Sequence, residues 1–371
     1  MANNLKKKGK EILSLADIKI NGEKPWDIQV YNENVFQRAF ADGSLGVGES
    51  YMDGWWDAKE LDQFFFRVFS ANLQKKINPI KFIIPAIKAR IINLQRKSKA
   101  YEIGKRHYDL GNDIYSIMLD KRMTYTCGYW QKAKNLDQAQ EAKLDLVCKK
   151  LGLKEGQRVL DIGCGWGSFA KYAAEKYGVS VVGITVSKEQ VELARKMCSG
   201  LPIEIRLQDY RDLNEKFDHI VSLGMIEHVG KKNYKRYMRI VHKCLKDEGL
   251  FLLQTIGSPR SYSSGDPWIE KYIFPNSMLP SMKQLSHSME GLFVTEDFHN
   301  FGADYDKTLM AWYNNFDKNF EKLKPKYDER FYRMWKFYLL SCAAMFRSRD
   351  IQLWQIVLSK KGVHGGYKPV R

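Results

Sequence analysis

The sequence predicts an α/β fold around a parallel sheet, and three observations carry that prediction. From about residue 136 onward, helical and strand-like patterns alternate. "VLDIGCGWGSF" (159–169) reads as a strand, a tight glycine turn and a helix start. "IVSLG" (220–224) and "LFLLQTI" (250–256) are short apolar runs of the kind a parallel sheet covers on both faces.

Taken in order, residues 1 to about 75 read as a small α+β unit. In it "ILSLADIKING" and "WDIQVYNENVFQRAF" mix strand and helix periods, and "DGSLGVGESYMDGWW" reads as a glycine-rich turn region. Residues 76–100 form a basic, isoleucine-rich linker. Pro79 and Pro85 argue against one straight helix, and Lys81, Lys88 and Arg90 argue against a bilayer span. This stretch fits an interfacial helix on anionic lipid or a linker helix packed on the protein. Residues 101–371 then form the main domain. "LDQAQEAKLDLVCKKLGL" is helical, "RVLDIG" a strand and "SFAKYAAEKYG" a helix closed by Gly178. "VSVVGIT", "SKEQVELARKMC" and "IEIRLQD" follow as strand, helix and strand, and "DIQLWQIVLSK" is a last strand.

The chain has 371 residues, enough for one large or two moderate domains, and its 44% hydrophobic and 28% charged residues indicate a globular protein. A net charge of +17 points to a polyanionic partner, nucleic acid or an anionic membrane surface, or to a basic but inert surface. The six cysteines are scattered without C-x-x-C, which excludes a zinc ribbon and a thioredoxin motif and suits a reducing cytosol. "MANNLKKKGK" is not followed by a secretory signal core.

Gly163, Gly165 and Gly167 let a ligand approach the backbone, and Asp161 ends the strand before them. A dinucleotide site usually has an acid at the end of the second strand; here Thr185 and Val186 stand there, with Gln190 one helical turn on. Ser187 to Gln190 fit both a capping box and an amide placed near a nucleoside. After the strand at 220–223, Glu227 and His228 put a carboxylate and an imidazole at its exit; His228 reads as a helix-start or core histidine.

These motifs together resemble the cyclopropane fatty-acyl-phospholipid synthases, which use S-adenosylmethionine. "VLDIGCGWG", "VVGITVSKEQ", "QDYRDL" and "SLGMIEHVG" carry the resemblance, with "HYDLGNDIYSIML", "TYTCGYW", "DPWIEKYIFPNSMLPS", "FGADYDKTLMAWY" and "FRSRDIQLWQ". "GSLGVGESYMDGWW" extends it into the first 75 residues, so it spans nearly the whole chain. It implies a class I methyltransferase, with a Rossmann-like mixed seven-stranded sheet. By motif, Asp161, Gly163 and Gly165 would cradle the methionine and ribose of the cofactor, and Thr185 and Gln190 would take the ribose side. Tyr210 and Arg211 would flank the adenine, and Tyr125 and Thr126 would lie over the methionine. The ring face of Tyr125 suits a sulfonium cation.

The family's reaction adds a methyl carbon to a cis double bond of a phospholipid acyl chain, then removes a proton from it to close a ring. The resemblance implies a bound bicarbonate as the base, held by Cys127, Glu227, the backbone around Ile256 and Tyr305. Glu227 would accept the bicarbonate hydroxyl's hydrogen bond, and Tyr305 would donate from its phenol. Where much of the family has His before "TIG", this chain has Gln254, whose amide donates but cannot carry a proton away. Cys342, offered as catalytic by the resemblance, has apolar helical neighbours that better fit a structural role. Trp130, Trp268, Tyr272, Phe274, Trp312 and Tyr313 stand in family motifs and suit the wall of an acyl channel.

The rival readings are a lipid methyltransferase with methyl-branched products, a small-molecule N- or O-methyltransferase, and a membrane-surface binding protein without activity. A nucleic-acid methyltransferase is disfavoured: no N/D-P-P-Y/F loop, Pro-Cys pair or RNA-binding module occurs. The expectation is a cytoplasmic, peripherally membrane-associated homodimer acting on an anionic or zwitterionic bilayer, its residues 1–75 docking on lipid and its residues 101–371 catalytic.

Overall fold

The computed structural model describes residues 2–73 and 111–371, so the basic segment 76–100 lies outside the described residues. The described chain forms two compact units. One comprises residues 2–73, 263–275 and 305–351; the other comprises 111–262, 276–304 and 352–371.

The first unit is helical. Its elements are α1 (Ala2–Ser14), β1 (Gln29–Val30), α2 (Asn34–Asp42), α3 (Ser44–Met52), β2 (Trp56–Asp57) and α4 (Leu61–Ser70). The expected α+β character reduces, among the described residues, to the two-residue antiparallel pairing of β1 with β2. The stretch expected as a glycine-rich turn is the helix α3. Its glycines serve close packing: a Cβ on Gly46 would meet the Arg38 carbonyl oxygen at 2.2 Å, and one on Gly48 the Trp268 ring at 2.3 Å. Packing thus overrides the low helix propensity of glycine.

The unit also takes in segments from beyond residue 101. A long helix near the C-terminal end, Glu329–Arg347, lays Phe337 against Tyr51 and Phe65. Arg347 grips both carboxylate oxygens of Asp306 at 2.9 Å and also Asp62 at 2.7 Å. Aromatic contacts and a forked ion pair therefore fasten distant sequence to the first 73 residues.

The second unit holds a mixed seven-stranded sheet of order β5-β4-β3-β6-β7-β9-β8. The strands are β3 (Arg158–Ile162), β4 (Ser180–Thr185), β5 (Ile203–Leu207), β6 (His219–Leu223), β7 (Leu250–Gly257), β8 (Val294–Asn300) and β9 (Gln352–Ser359). β3 to β7 are parallel, while β9 runs antiparallel between β7 and β8. Leu160, Ile162, Ile220, Phe251 and Leu253 face one buried layer; Val159, Val181, Val221 and Leu252 face the other. Both faces are covered, as the unbroken apolar runs require.

Helix ends follow from local chemistry. The helix Leu136–Leu151, α6, starts where the Asn135 side chain accepts the Gln138 N–H and ends at Gly152 in the left-handed region. The short helix Asn112–Met118, α5, precedes it. The helix Ser168–Tyr177, α7, ends at Gly178, and the helix Lys188–Met197, α8, is capped by Ser187.

Candidate active site

The carboxyl ends of the parallel strands are where an open α/β sheet presents a ligand crevice. Here β3 delivers Asp161 and the glycine turn. Gly163 (φ 82°) and Gly165 (φ 55°) adopt backbone that favours glycine. Nothing lies within 4 Å of the position a Cβ on Gly165 would take, so the turn leaves open space beside the backbone. Asp161 is buried and one of its carboxylate oxygens has no hydrogen-bond partner. Burial pushes its carboxyl up to about 7, opposed by the Lys143 ammonium.

At the end of β4 the Thr185 hydroxyl donates to the Gln190 side-chain oxygen at 2.7 Å. The Ser187 hydroxyl accepts the Gln190 N–H, so the helix cap and the placement of an amide coexist. After β5, Tyr210 is buried edge-on against Tyr237, and Arg211 lies 4.9 Å from the Tyr210 ring. Arg211 pairs with Asp209 at 3.0 Å, and Asp209 also accepts the Arg211 backbone N–H. Tyr125 meets Tyr115 edge-on at 5.0 Å, and Tyr115 meets Trp166 at 4.9 Å.

β6 and β7 deliver the second cluster. Glu227 sits in a short 3-10 turn (Ile226–His228) after β6. One of its oxygens accepts the Ile256 backbone N–H at 2.7 Å; the other is buried with no partner. Ile256 thereby anchors Glu227, its N–H committed to that carboxylate. Burial pushes Glu227 up to about 7, opposed by the backbone N–H groups of Glu227 and Ile256 and by the nearby Thr255 hydroxyl. His228 is half-buried and its imidazole is pushed down to about 4 by desolvation, so it stays neutral near pH 7. Gln254 is buried on β7, and its side-chain oxygen accepts from the Gln355 amide at 2.9 Å. Cys127 is buried, its thiol donating to the Gly128 carbonyl oxygen at 3.1 Å. Trp130 offers its backbone N–H to Asp304 at 2.8 Å.

Tyr305 and Cys342 belong to the first unit. Tyr305 is buried and stacks on Phe346 at 4.5 Å. Burial pushes the Cys342 thiol up to about 12, which leaves no thiolate at neutral pH. Trp268, Tyr272, Phe274, Trp312 and Tyr313 belong to the same unit; Trp268 packs on Phe337 at 4.5 Å and Tyr305 lies edge-on to Trp312.

Four buried polar residues beside these clusters have no role assigned from the sequence: Gln140, Lys143, Asp209 in "QDYRDL" and Gln355 in "FRSRDIQLWQ". The first two had a signal. Gln140, Lys143, Val147 and Lys150 are spaced 3, 4 and 3 residues apart and share the buried stripe of α6.

The orphaned oxygens of Asp161 and Glu227 and the open space at Gly165 fit a site that binds a ligand rather than an inert core. Comparison with known proteins gives the family. The family model described as mycolic acid cyclopropane synthetase matches residues 95–356. A cyclopropane-fatty-acyl-phospholipid synthase of Escherichia coli K12 is 55% identical over 362 residues, covering 97% of this chain and 94% of that one. A probable fatty acid methyltransferase of Pseudomonas putida is 38% identical over 70% of this chain and 69% of its own. Among solved structures, the mycolic acid cyclopropane synthase CmaA1 complexed with SAH and CTAB aligns with a TM-score of 0.66 at 32% identity, over 70% of this chain and 98% of that one.

Proposed function

The chain belongs to the cyclopropane synthase family of methyltransferases, and on that premise we propose that it converts cis-unsaturated acyl chains of phospholipids into cyclopropane acyl chains. The observation that carries the ring-closing part is Glu227: a buried carboxylate fixed at one oxygen by Ile256 N–H and unpartnered at the other.

S-adenosylmethionine, when bound, supplies an electrophilic methyl group on a sulfonium. Gly163 and Gly165 would admit it against the backbone, Thr185 and Gln190 would serve its ribose, and Tyr210 and Arg211 would border its adenine. Tyr125 and Thr126 would cover its methionine part, the Tyr125 ring tolerating positive charge. Asp161 stands at the same turn with an oxygen to give.

Bicarbonate, when bound, supplies a base that takes a proton without alkylating the protein. Glu227 would accept its hydroxyl hydrogen bond, the Gln254 amide would donate to it and Cys127 would border it; a phenol donor, Tyr305, is what the family resemblance adds. Tyr272, Phe274 and Tyr313, partly buried in the first unit, would suit an apolar chain and tolerate positive charge, whereas Trp268 and Trp312 are fully buried in that unit's core. Among the described residues no helix is long and apolar enough to cross a membrane. The net charge of +17 favours attachment to an anionic bilayer surface, and a cytoplasmic homodimer whose first unit touches lipid is what the family resemblance implies.

The test is the product. Protein, S-adenosylmethionine and vesicles of cis-unsaturated phospholipid should yield fatty acids one methylene heavier that carry a ring. Gln254 in place of the family's usual His supports a second reading, in which the same site releases methyl-branched products; that outcome would overturn ring closure and leave lipid methylation standing.

A further inference from the structure

The segment Thr124–Tyr129 carries Tyr125, Thr126 and Cys127, and the first turns of α6 hold it. The Tyr129 N–H donates to the Ala139 carbonyl oxygen at 2.8 Å, and the Gln140 amide donates to the Thr126 carbonyl oxygen at 2.7 Å. Gly128 lies so close to the helix that a Cβ there would come within 2.9 Å of Ala139 Cβ. One turn on, Lys143 Nζ reaches the Thr126 hydroxyl oxygen at 2.9 Å.

Lys143 is completely buried. A methionine would fill much the same volume without the desolvation of an ammonium, so packing alone does not account for a lysine here. Its charge is faced by Asp120 and Asp161, with the Cys127 and Cys148 thiols nearby. The chemistry of the contact with Thr126 is one-directional. An ammonium has only donors, so Thr126 Oγ must accept, and the hydroxyl proton of Thr126 is left to donate elsewhere.

We propose that Lys143 is a positioning residue for the methionine end of the cofactor: by occupying a lone pair of the Thr126 hydroxyl it commits that hydroxyl to donate to an anionic group, the α-carboxylate. This rests on reading Thr126 and the glycine turn as the S-adenosylmethionine site. Neutral Lys143 or its replacement frees the hydroxyl to turn, and the preference for a carboxylate disappears.

Calorimetric binding of two ligands to the full chain separates this role from a structural one. S-adenosylhomocysteine carries the amino-acid end; methylthioadenosine lacks it. Lys143→Met should weaken S-adenosylhomocysteine about tenfold to hundredfold, the range for a hydrogen bond to a charged group, and leave methylthioadenosine within about twofold. Thr126→Val should show the same selectivity without touching the buried charge, Thr126→Ser should restore binding, and adding Lys143→Met to Thr126→Val should cost nothing more. Equal losses for both ligands, or additive losses in the double variant, would overturn the proposal. If the unaltered protein binds neither nucleoside, the cofactor reading itself fails and the proposal falls with it.

Discussion

Gln355 donates its side-chain amide to the side-chain oxygen of Gln254 at 2.9 Å, the two residues lying directly opposite each other in the antiparallel pairing of β9 with β7. Both are buried, so water does not compete for the contact. Because Gln355 occupies the oxygen of Gln254, the amide nitrogen of Gln254 is the end left to serve a ligand. An amide donor at this position does not titrate near neutrality.

Gln254→His should therefore keep ring formation within about tenfold, roughly the worth of one hydrogen bond, while adding a pH-dependent limb near neutrality to the rate profile. Gln254→Leu should cost more, since it strands the Gln355 amide without an acceptor. A large loss of product in the His variant would sink the simple donor account.

Glu227 makes a signed prediction about stability. Its folded pKa of about 7 stands above the ordinary glutamate value of 4.5, so its contribution to stability is full below pH 4.5 and is lost as the pH rises toward and through 7. Glu227→Gln keeps an oxygen for the Ile256 N–H and removes the carboxylate that must be buried as an anion. The ligand-free variant should be more stable than the parent at pH 8, by up to about 3 kcal/mol, and no more stable at pH 4, while product formation collapses. Thermal melts at the two pH values check this; a variant destabilised at pH 8 would contradict it.

Gly165→Ala probes the glycine turn. The left-handed backbone costs a non-glycine residue about 1–2 kcal/mol, yet the space around the new Cβ is open, so the variant should fold. Its affinity for S-adenosylhomocysteine should fall by more than its stability does, because the methyl group occupies ligand space. Calorimetric binding beside a melt gives both numbers, and unchanged affinity would remove Gly165 from the site.

Cys342 should prove dispensable for chemistry. With its thiol pushed up to about 12, Cys342→Ala should leave the rate of ring formation within a few-fold, measured at saturating lipid. Loss of the reaction in a folded variant would restore it as a catalytic residue.

Vesicle binding should follow charge. Raising salt from about 0.1 M to about 1 M shortens the screening length from roughly 10 Å to roughly 3 Å, and sedimentation with anionic vesicles should fall accordingly. Binding indifferent to salt would shift the attachment to apolar insertion.

The sheet and the glycine turn were legible because a doubly covered sheet writes unbroken apolar runs and a close backbone approach writes glycines. β8 was not: "VTEDFHN" is an edge strand with three of seven residues charged or imidazole-bearing, and its register shifts between Thr295 and Asp297. α3 stands where a glycine turn is expected because Gly46 packs on the Arg38 carbonyl and Gly48 on Trp268, and the second contact is remote in sequence. The position of Glu227 after a buried strand was visible; its orphaned oxygen and its anchor at Ile256 were not, since both depend on β7 lying beside β6. Gln355 ends the motif "FRSRDIQLWQ", but its partner comes only from the register that sets it opposite Gln254.

The most direct test of the central claim is mass spectrometry of the lipid product with bicarbonate present and with bicarbonate stripped. The account predicts cyclopropane fatty acids, one methylene heavier than the substrate, whose formation falls when bicarbonate is removed and returns when it is added back. Ring formation at full rate without bicarbonate, or methyl-branched products in its presence, would contradict it.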